Sequence, residues 1–328
     1  MDRAPTYSIV VPVHNEQDSL RELHRRLADA LAQLDGDAEA ILVDDGSTDL
    51  SYPLMLELHN RDPRFKIVQL SRNFGHQLAI TAGIDLARGE AVVVMDADLQ
   101  HPPELLPELA AGWREGYDVV YGVMTARPEG WLKRTTAHAY YRLLRRLASV
   151  EIPAAAGDFR LADRRVIEAF QAMPERNRFV RGMFAWLGFR QLAVPYVVPP
   201  RFAGSSKYTL RKMIRLATDG LTGFSTAPLR LVLDLGFVAS VLSFLFGLAT
   251  LISKFAGVFL VPGWLTIVLV TSFIGGIQLI VIGVVGEYVA RIYDEVKARP
   301  LYLVRELHGF EHEQRARRIL PPAELPNP

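Results

Sequence analysis

The chain contains no cysteine, which excludes structural disulfides, thiolate zinc sites and a cysteine nucleophile. It has no G-x-G-x-x-G and no G-x-x-x-x-G-K-[ST], so neither the dinucleotide fingerprint nor the P-loop competes for the reading. Neither sign of charge is in excess: 37 Lys and Arg stand against 36 Asp and Glu, and a net charge of +1 gives no overall pull toward nucleic acid. The N-terminus, MDRAPTYSIVVPV, has too short an apolar run for a signal peptide. Long apolar runs are missing from the first two thirds of the chain and then arrive together.

Those runs are Leu235 to Ser253 and Leu265 to Gly286, both without charge and joined by KFAGVFLVPGW. At about 1.5 Å per residue each is long enough, as a helix, to cross roughly 30 Å of hydrocarbon, so two spanning helices are expected. Arg211, Lys212, Arg215 and Arg230 precede the pair and Arg291, Lys297 and Arg299 follow it, whereas the loop carries only Lys254. The positive-inside rule then puts both termini in the cytoplasm. Just before the runs, YTLRKMIRLATDGLTGFST places Leu210, Met213, Ile214, Ala217 and Leu221 on one helical face. Such a basic amphipathic segment can lie in the membrane interface.

The preceding part reads as alternating strands and helices. YSIVVPV, AILVDD, FKIVQLS, EAVVVMD and DVVYGVM are strand candidates, and Leu20, Leu23, Leu27, Ala30, Leu31 and Leu34 keep helical spacing between the first two. Alternation of this kind argues for a mostly parallel sheet with helices on both faces, whose ligand lies outside the C-terminal strand ends. Polar clusters follow four of the strands: His14-Asn15-Glu16, Asp44-Asp45-Gly46-Ser47, Arg72-Asn73 and Asp96-Ala97-Asp98. Taken singly they fit turn and cap chemistry, above all at Asn15, Ser47 and Asp49. Taken together they mark one edge as a site. Asp35 and Asp37 have the same spacing as Asp96 and Asp98 but flank Gly36 after a helical pattern, where a solvated turn accounts for them. In VVVMDADLQHP, continued extension would put Asp96, Asp98 and Gln100 on one side, an oxygen set suited to Mg²⁺ or Mn²⁺ completed by substrate phosphates.

In this order, VVPVHNE, LVDDGSTD, SRNFGHQLAITAG, MDADLQHPPE, GDFRLADRRV and RFAGSSKY resemble the polyisoprenyl-phosphate glycosyltransferases of glycosyltransferase family 2. With two C-terminal apolar runs and the tail GEYVARIYDEVKARPLYLV, the chain looks most like the bactoprenol glucosyltransferase branch. The likeness runs from Tyr7 to about Phe310. It implies a GT-A fold over 1–207, an interface segment over 208–228, a two-helix transmembrane region over 229–290 and a cytoplasmic tail over 291–328. It also implies a metal-dependent, inverting transfer of one sugar from a nucleotide sugar to polyprenyl phosphate. UDP-glucose is the first choice of donor, with UDP-GlcNAc, UDP-galactose and GDP-mannose as alternatives.

The residue roles below follow from that resemblance. Pro12, His14, Asn15, Glu16, Asp45 and Asp96 match nucleotide-binding positions, although many members carry Tyr where this chain has His14, so stacking on the base is not carried over there. Asp98 and Gln100 match the metal ligands, with Asp96 beside them, and Asp158 matches an acidic residue near the reacting centre. Arg127, Arg134, Arg201 and Lys207 match basic positions associated with the acceptor or diphosphate, and His101 receives no role. A cap for the helix beginning near Asp163 would not explain Asp158, five residues earlier. Trp113, Trp131 and Trp186 read as packing residues, Glu287 as a partner for Arg291, and RARRILPPAELPNP as a solvated tail. The family also brings a possible homo-oligomer. A processive polysaccharide synthase would need more spans and usually a QxxRW motif, which this chain lacks, and a non-catalytic membrane-anchored nucleotide-binding regulator would not need the three intact aspartates.

Overall fold

A computed structural model describes residues 4–125, 156–199, 227–256 and 263–310. Arg127, Arg134, Trp131, Arg201, Lys207, all but the last residues of the 208–228 segment, and the C-terminal RARRILPPAELPNP lie outside the described residues.

Strand β1 (Tyr7–Val13) is buried at every position and starts a βα alternation: α1 (Leu20–Leu31), β2 (Ala38–Asp44), α2 (Ser51–Arg61), β3 (Phe65–Leu70), α3 (His76–Leu86) and β4 (Ala91–Val94). Leu20, Leu23, Leu27, Ala30 and Leu31 form the inner stripe of α1, as their spacing requires. Each such leucine taken from water contributes about 1.5–3 kcal/mol. A single 3₁₀ turn (Pro103–Leu105) leads into α4 (Leu106–Arg114) and β5 (Val119–Met124), and after the undescribed stretch come β6 (Ala156–Asp163), α5 (Arg164–Gln171), α6 (Val180–Trp186) and β7 (Gln191–Tyr196). Asp163 caps α5 by accepting the N–H of Arg165, so the capping role indeed belongs to Asp163 and Asp158 sits inside the strand.

Among the described residues the sheet has eight strands in the order β7-β5-β6-β4-β1-β2-β3-β8. Pairs β1–β2, β1–β4, β2–β3 and β5–β7 are parallel, while β3–β8, β4–β6 and β5–β6 are antiparallel. The sheet is therefore mixed where a mostly parallel one is expected: β6 runs against both β4 and β5, and β8 runs against β3. Two buried clusters lie on opposite faces of the sheet, one under α1, α2 and α4, the other under α3, α5 and α6.

Strand β8 (Val304–His308) comes from the segment expected as a cytoplasmic tail. It pairs with β3 from Ile67↔His308 to Leu70↔Val304, the N–H of Ser71 donates to Leu303 O at 2.9 Å, and Phe310 is buried against the sheet. Tyr302 Oη donates to Asp85 at 2.7 Å, tying the same strap to α3. Between β7 and β8 the described residues form two long helices, α7 (Ala227–Phe255) and α8 (Trp264–Val296). Both expected spans fall inside them. Among the described residues, one stretch, Phe273–Val296, is long and apolar enough to cross a membrane and has none of its most apolar window buried; Val232–Phe246 is a shorter apolar stretch. Phe237, Phe244, Phe273 and Leu279 stand outward with about 70 % of their surface exposed. Glu287 pairs with Arg291 at 3.0 Å.

Two packing expectations change. Trp113 is packed edge-on to Tyr7 and donates to Asp163 at 2.7 Å, but Trp186 is 60 % exposed. Asp35 is more than a solvated turn residue: Arg114 pairs with it at 3.0 Å and Tyr7 donates its hydroxyl to it.

Candidate active site

Strands β1, β2, β3 and β4 run the same way, so the loops after Val13, Asp44, Leu70 and Val94 open on one edge. Strand β6 runs against β4 with Val94 opposite Arg160. In an antiparallel register, moving two residues forward on β4 means moving two back on β6, which sets Asp158 level with Asp96. Two carboxylates far apart in sequence are thus brought to the same edge.

The loops at this edge are stitched to one another. Asn15, in the left-handed region at φ 55°, accepts the N–H of Thr48 at 2.8 Å, while its own N–H donates to Ser47 Oγ at 3.0 Å. Glu16 donates its N–H to Ser51 Oγ at 2.8 Å, and Asp49 accepts from Ser51 N at 2.9 Å and Gln17 N at 3.3 Å. Turn and cap chemistry therefore occupies Asn15, Ser47 and Asp49. Gly46, at φ 64°, lets the β2 loop pass against the β3 loop, where a Cβ would lie 2.5 Å from Asn73 N. Pro12 is buried within β1 opposite Val43.

His14 Nδ1 lies 2.9 Å from the carbonyl of Asp45, which can only accept, so Nδ1 carries the proton. Nε2 then faces the amide of Asn15 at 3.4 Å and that of Asn73 at 3.3 Å. Asp45 is buried, and its two oxygens accept the N–H groups of Phe74 at 2.7 Å and Gly75 at 3.0 Å. Burial pushes its carboxyl upward against these hydrogen bonds. Asp45 thereby fixes the turn that begins α3.

The first residue of α3 is His76, which the polar clusters named from sequence stop short of. Its Nε2 stands 3.4 Å from Asp96 Oδ1 and 3.4 Å from Asp158 Oδ2, bridging the two carboxylates. Burial alone would lower its pKa, but the hydrogen bond to Asp158 and the charges of Asp96 and Asp158 raise it to about 9. The ring is 44 % exposed, which weakens the burial effect and leaves the carboxylates dominant. Two signals for it were on hand: His76 lies within the quoted SRNFGHQLAITAG, and it follows β3 on the same edge as the other clusters.

Asp158 is 3 % exposed and is gripped by Arg181 of α6, Nε to Oδ1 at 2.7 Å and Nη2 to Oδ2 at 3.1 Å. Burial would raise its pKa, yet the Arg181 charge and the hydrogen bonds from His76 and Arg181 hold it well below the ordinary carboxylate range. Arg160, two residues along β6, is buried beneath it, stacked on Phe184 at 4.8 Å and donating to Gly157 O at 2.9 Å. Burial lowers its pKa to about 10, against the attraction of Asp158. Arg160 lies within the quoted GDFRLADRRV but received no role there, and Arg181 lies outside the quoted motifs.

After Val94 the chain turns through Asp96-Ala97-Asp98-Leu99-Gln100. Asp98 Oδ1 accepts the N–H of Gln100 at 3.1 Å, and Leu99 adopts φ 61° while its side chain is buried. Asp96 Oδ1 is buried without a hydrogen bond, with His76 as its neighbour at ion-pair distance. Among the described residues no three His, Asp or Glu side chains converge as a self-sufficient cation cage. A buried oxygen without a hydrogen bond beside half-buried Asp98 and Gln100 is a donor set that fits a hard cation completing its shell from substrate oxygens and water.

Residues 8–170 match the family described as Glycosyl transferase family 2. Over 315 residues the chain is 46 % identical to the "uncharacterized glycosyltransferase YkcC" of Bacillus subtilis (strain 168), covering 96 % of this chain and 98 % of that one. The chain belongs to glycosyltransferase family 2. Its GT-A-type mixed sheet with flanking helices agrees with that membership. This family 2 glycosyltransferase is also 38 % identical over 302 residues to the "SfII prophage-derived bactoprenol glucosyl transferase" of Shigella flexneri, covering 92 % of this chain and 98 % of that one. Among solved structures, glucosyl-3-phosphoglycerate synthase from Mycobacterium tuberculosis, in complex with Mn²⁺, UDP and glucosyl-3-phosphoglycerate, aligns at 18 % identity and a TM-score of 0.46 over 65 % of this chain and 76 % of that one. Nothing about the site is carried over at that level.

Proposed function

We propose that this family 2 glycosyltransferase moves a single glucosyl residue from UDP-glucose to undecaprenyl or another polyprenyl phosphate, with inversion, at the cytoplasmic face of the membrane. The observation that carries the reading is the match to a relative named bactoprenol glucosyl transferase, which extends over 98 % of that relative. Helices α7 and α8 are read as two spans, with Arg291, Lys297 and Arg299 keeping the last turns of α8 and its exit on the cytoplasmic side. Placement of the acceptor phosphate is assigned to Arg127, Arg134, Arg201 and Lys207, from the motif match.

In an inverting displacement an oxygen of the acceptor phosphate forms a bond to the anomeric carbon as the bond to the nucleoside diphosphate breaks. A phosphate monoester, with a second pKa near 6, is already largely anionic at neutral pH, so no strong general base is needed. Asp158 fits that economy. Paired with Arg181 and held below the ordinary range, it is a weak proton acceptor and a rigid acceptor of hydrogen bonds. Its work is to orient sugar or acceptor groups. Asp45 and His14 shape the base end of the cleft by fixing the turn before His76, and Asp96 stands between the nucleoside side and Asp158. Mg²⁺ or Mn²⁺ held by Asp98 and Gln100, with Asp96 beside them, would offset the negative charge developing on the leaving diphosphate.

Purified full-length protein incubated with undecaprenyl phosphate, Mg²⁺ and a panel of labelled UDP and GDP sugars should yield extractable labelled lipid with UDP-glucose. A label entering lipid from a different donor corrects the sugar, and no lipid product from any donor overturns the transferase reading. Asp98→Ala should lower product by about 100-fold or more at unchanged melting temperature, as loss of preorganised charge stabilisation does. Full activity of that variant, or of the wild type in excess EDTA, removes the metal role.

A further inference from the structure

His101 is 2 % exposed and lies against the turn that carries Asp96, Asp98 and Gln100. The N–H of Asp96 donates to His101 Nδ1 at 2.9 Å. An N–H can only donate, so Nδ1 holds no proton and the ring is the Nε2–H tautomer. Its plane is fixed from the other side of the cleft: it stacks on Phe159 with ring centroids 5.0 Å apart and an angle of 11°, and meets Tyr196 edge-on at 6.4 Å. Nε2 faces Gly157, where an added Cβ would come within 3.3 Å. Gly157 and Phe159 are the two residues that bracket Asp158 on β6.

The turn it touches is strained. Leu99 occupies the left-handed region at φ 61°, which is unfavourable for a non-glycine residue and persists only when the surroundings enforce it. Two anchors do so: the buried Leu99 side chain on one side, and the Asp96-to-His101 hydrogen bond on the other. Without the second, the N–H of Asp96 would lose its acceptor inside the protein.

We infer that His101 is the positioning residue that locks the Asp96–Gln100 turn to strand β6, and so sets Asp96 and Asp98 against Asp158. It does this as a hydrogen-bond acceptor and stacked ring, touching neither sugar nor phosphate. The inference rests on the metal role proposed above for Asp98 and Gln100.

Two variants separate the ring from the acceptor. His101→Phe keeps the stacking and removes the acceptor, while His101→Asn keeps an acceptor near Nδ1 and removes the stacking. Mn²⁺ binding to the full-length protein with UDP present is read from the free-ion signal in electron paramagnetic resonance, and stability from the melting temperature. Loss of a group that orients metal ligands typically weakens affinity about 10–100-fold, so His101→Phe should bind Mn²⁺ at least about 10-fold more weakly. His101→Asn should stay within about 3-fold of wild type in affinity, as its retained acceptor requires, even though it melts at a lower temperature. Wild-type affinity in His101→Phe, or affinity lost in His101→Asn in step with its stability, overturns the inference and leaves His101 a packing residue. Wild-type protein that binds no Mn²⁺ overturns the metal reading itself, and the inference with it.

Discussion

Replacing Arg181 by methionine would keep much of the length of the side chain and remove the charge that neutralises Asp158. The carboxylate left behind is 3 % exposed, so water cannot take over the role of the guanidinium. Breaking a buried pair by deleting one partner costs about 3–5 kcal/mol. Arg181 is itself 29 % exposed and His76 still stands 3.4 Å from Asp158, which favours the lower end, about 3 kcal/mol. In a domain of ~200 residues each kcal/mol moves the melting temperature by about 2–4 °C, giving a drop of about 6–12 °C. The double variant Asp158→Asn/Arg181→Met removes both charges and should recover more than half of that loss, because no uncompensated carboxylate remains. Asp158 has a folded pKa below its unfolded value, so its contribution is in place above about pH 3.9 and disappears as pH falls through the folded value. That acid-side loss should shrink in Arg181→Met. Intrinsic tryptophan fluorescence during heating, from pH 3 upward, reads the wild type and both variants. A single variant that melts within about 2 °C of wild type, or a double variant as unstable as the single, would refute the picture of a carboxylate held by its arginine.

Two further outcomes follow from the same edge of the sheet. His76→Gln should flatten the alkaline limb of the stability profile: with a pKa raised to about 9, wild-type His76 contributes fully below about pH 6.5, and the contribution is lost as pH rises through about 9, so a variant with an unchanged slope between those values contradicts its placement between Asp96 and Asp158. Gly46→Ala should destabilise by about 2 kcal/mol or more, since it combines a positive φ with a Cβ 2.5 Å from Asn73 N, and a melting temperature equal to wild type would show that the two loops are not packed as described.

Strands β1 to β5 were legible because nearly continuous apolar runs alternate with helical spacing, and four polar clusters marked the edge where they end. Strand β6 was not, since in AGDFRLAD the buried face carries Asp158 and Arg160, and charge at alternate positions reads as solvent-facing until the pair with Arg181 is seen. Strand β8 is five residues of mixed polarity after the last apolar helix, and only its partner β3 makes it a strand. Asp96, Asp98 and Asp158 could be singled out from their motifs. His76 lay inside SRNFGHQLAITAG without a role and Arg181 lay in no quoted motif, because their importance lies in contacts between residues far apart in the chain.

The late arrival of β8 has a consequence for how the protein is made. The edge of β3, from Ile67 to Leu70, has its backbone groups ready by the time the first quarter of the chain is synthesised, but its partner lies beyond both long helices. Throughout that interval the nascent catalytic domain presents an open, apolar strand edge, the kind of surface on which chains pair with one another. Completion of the sheet thus waits until β8 has been made, after both long helices, and products that end before Val304 would be born with that edge uncovered.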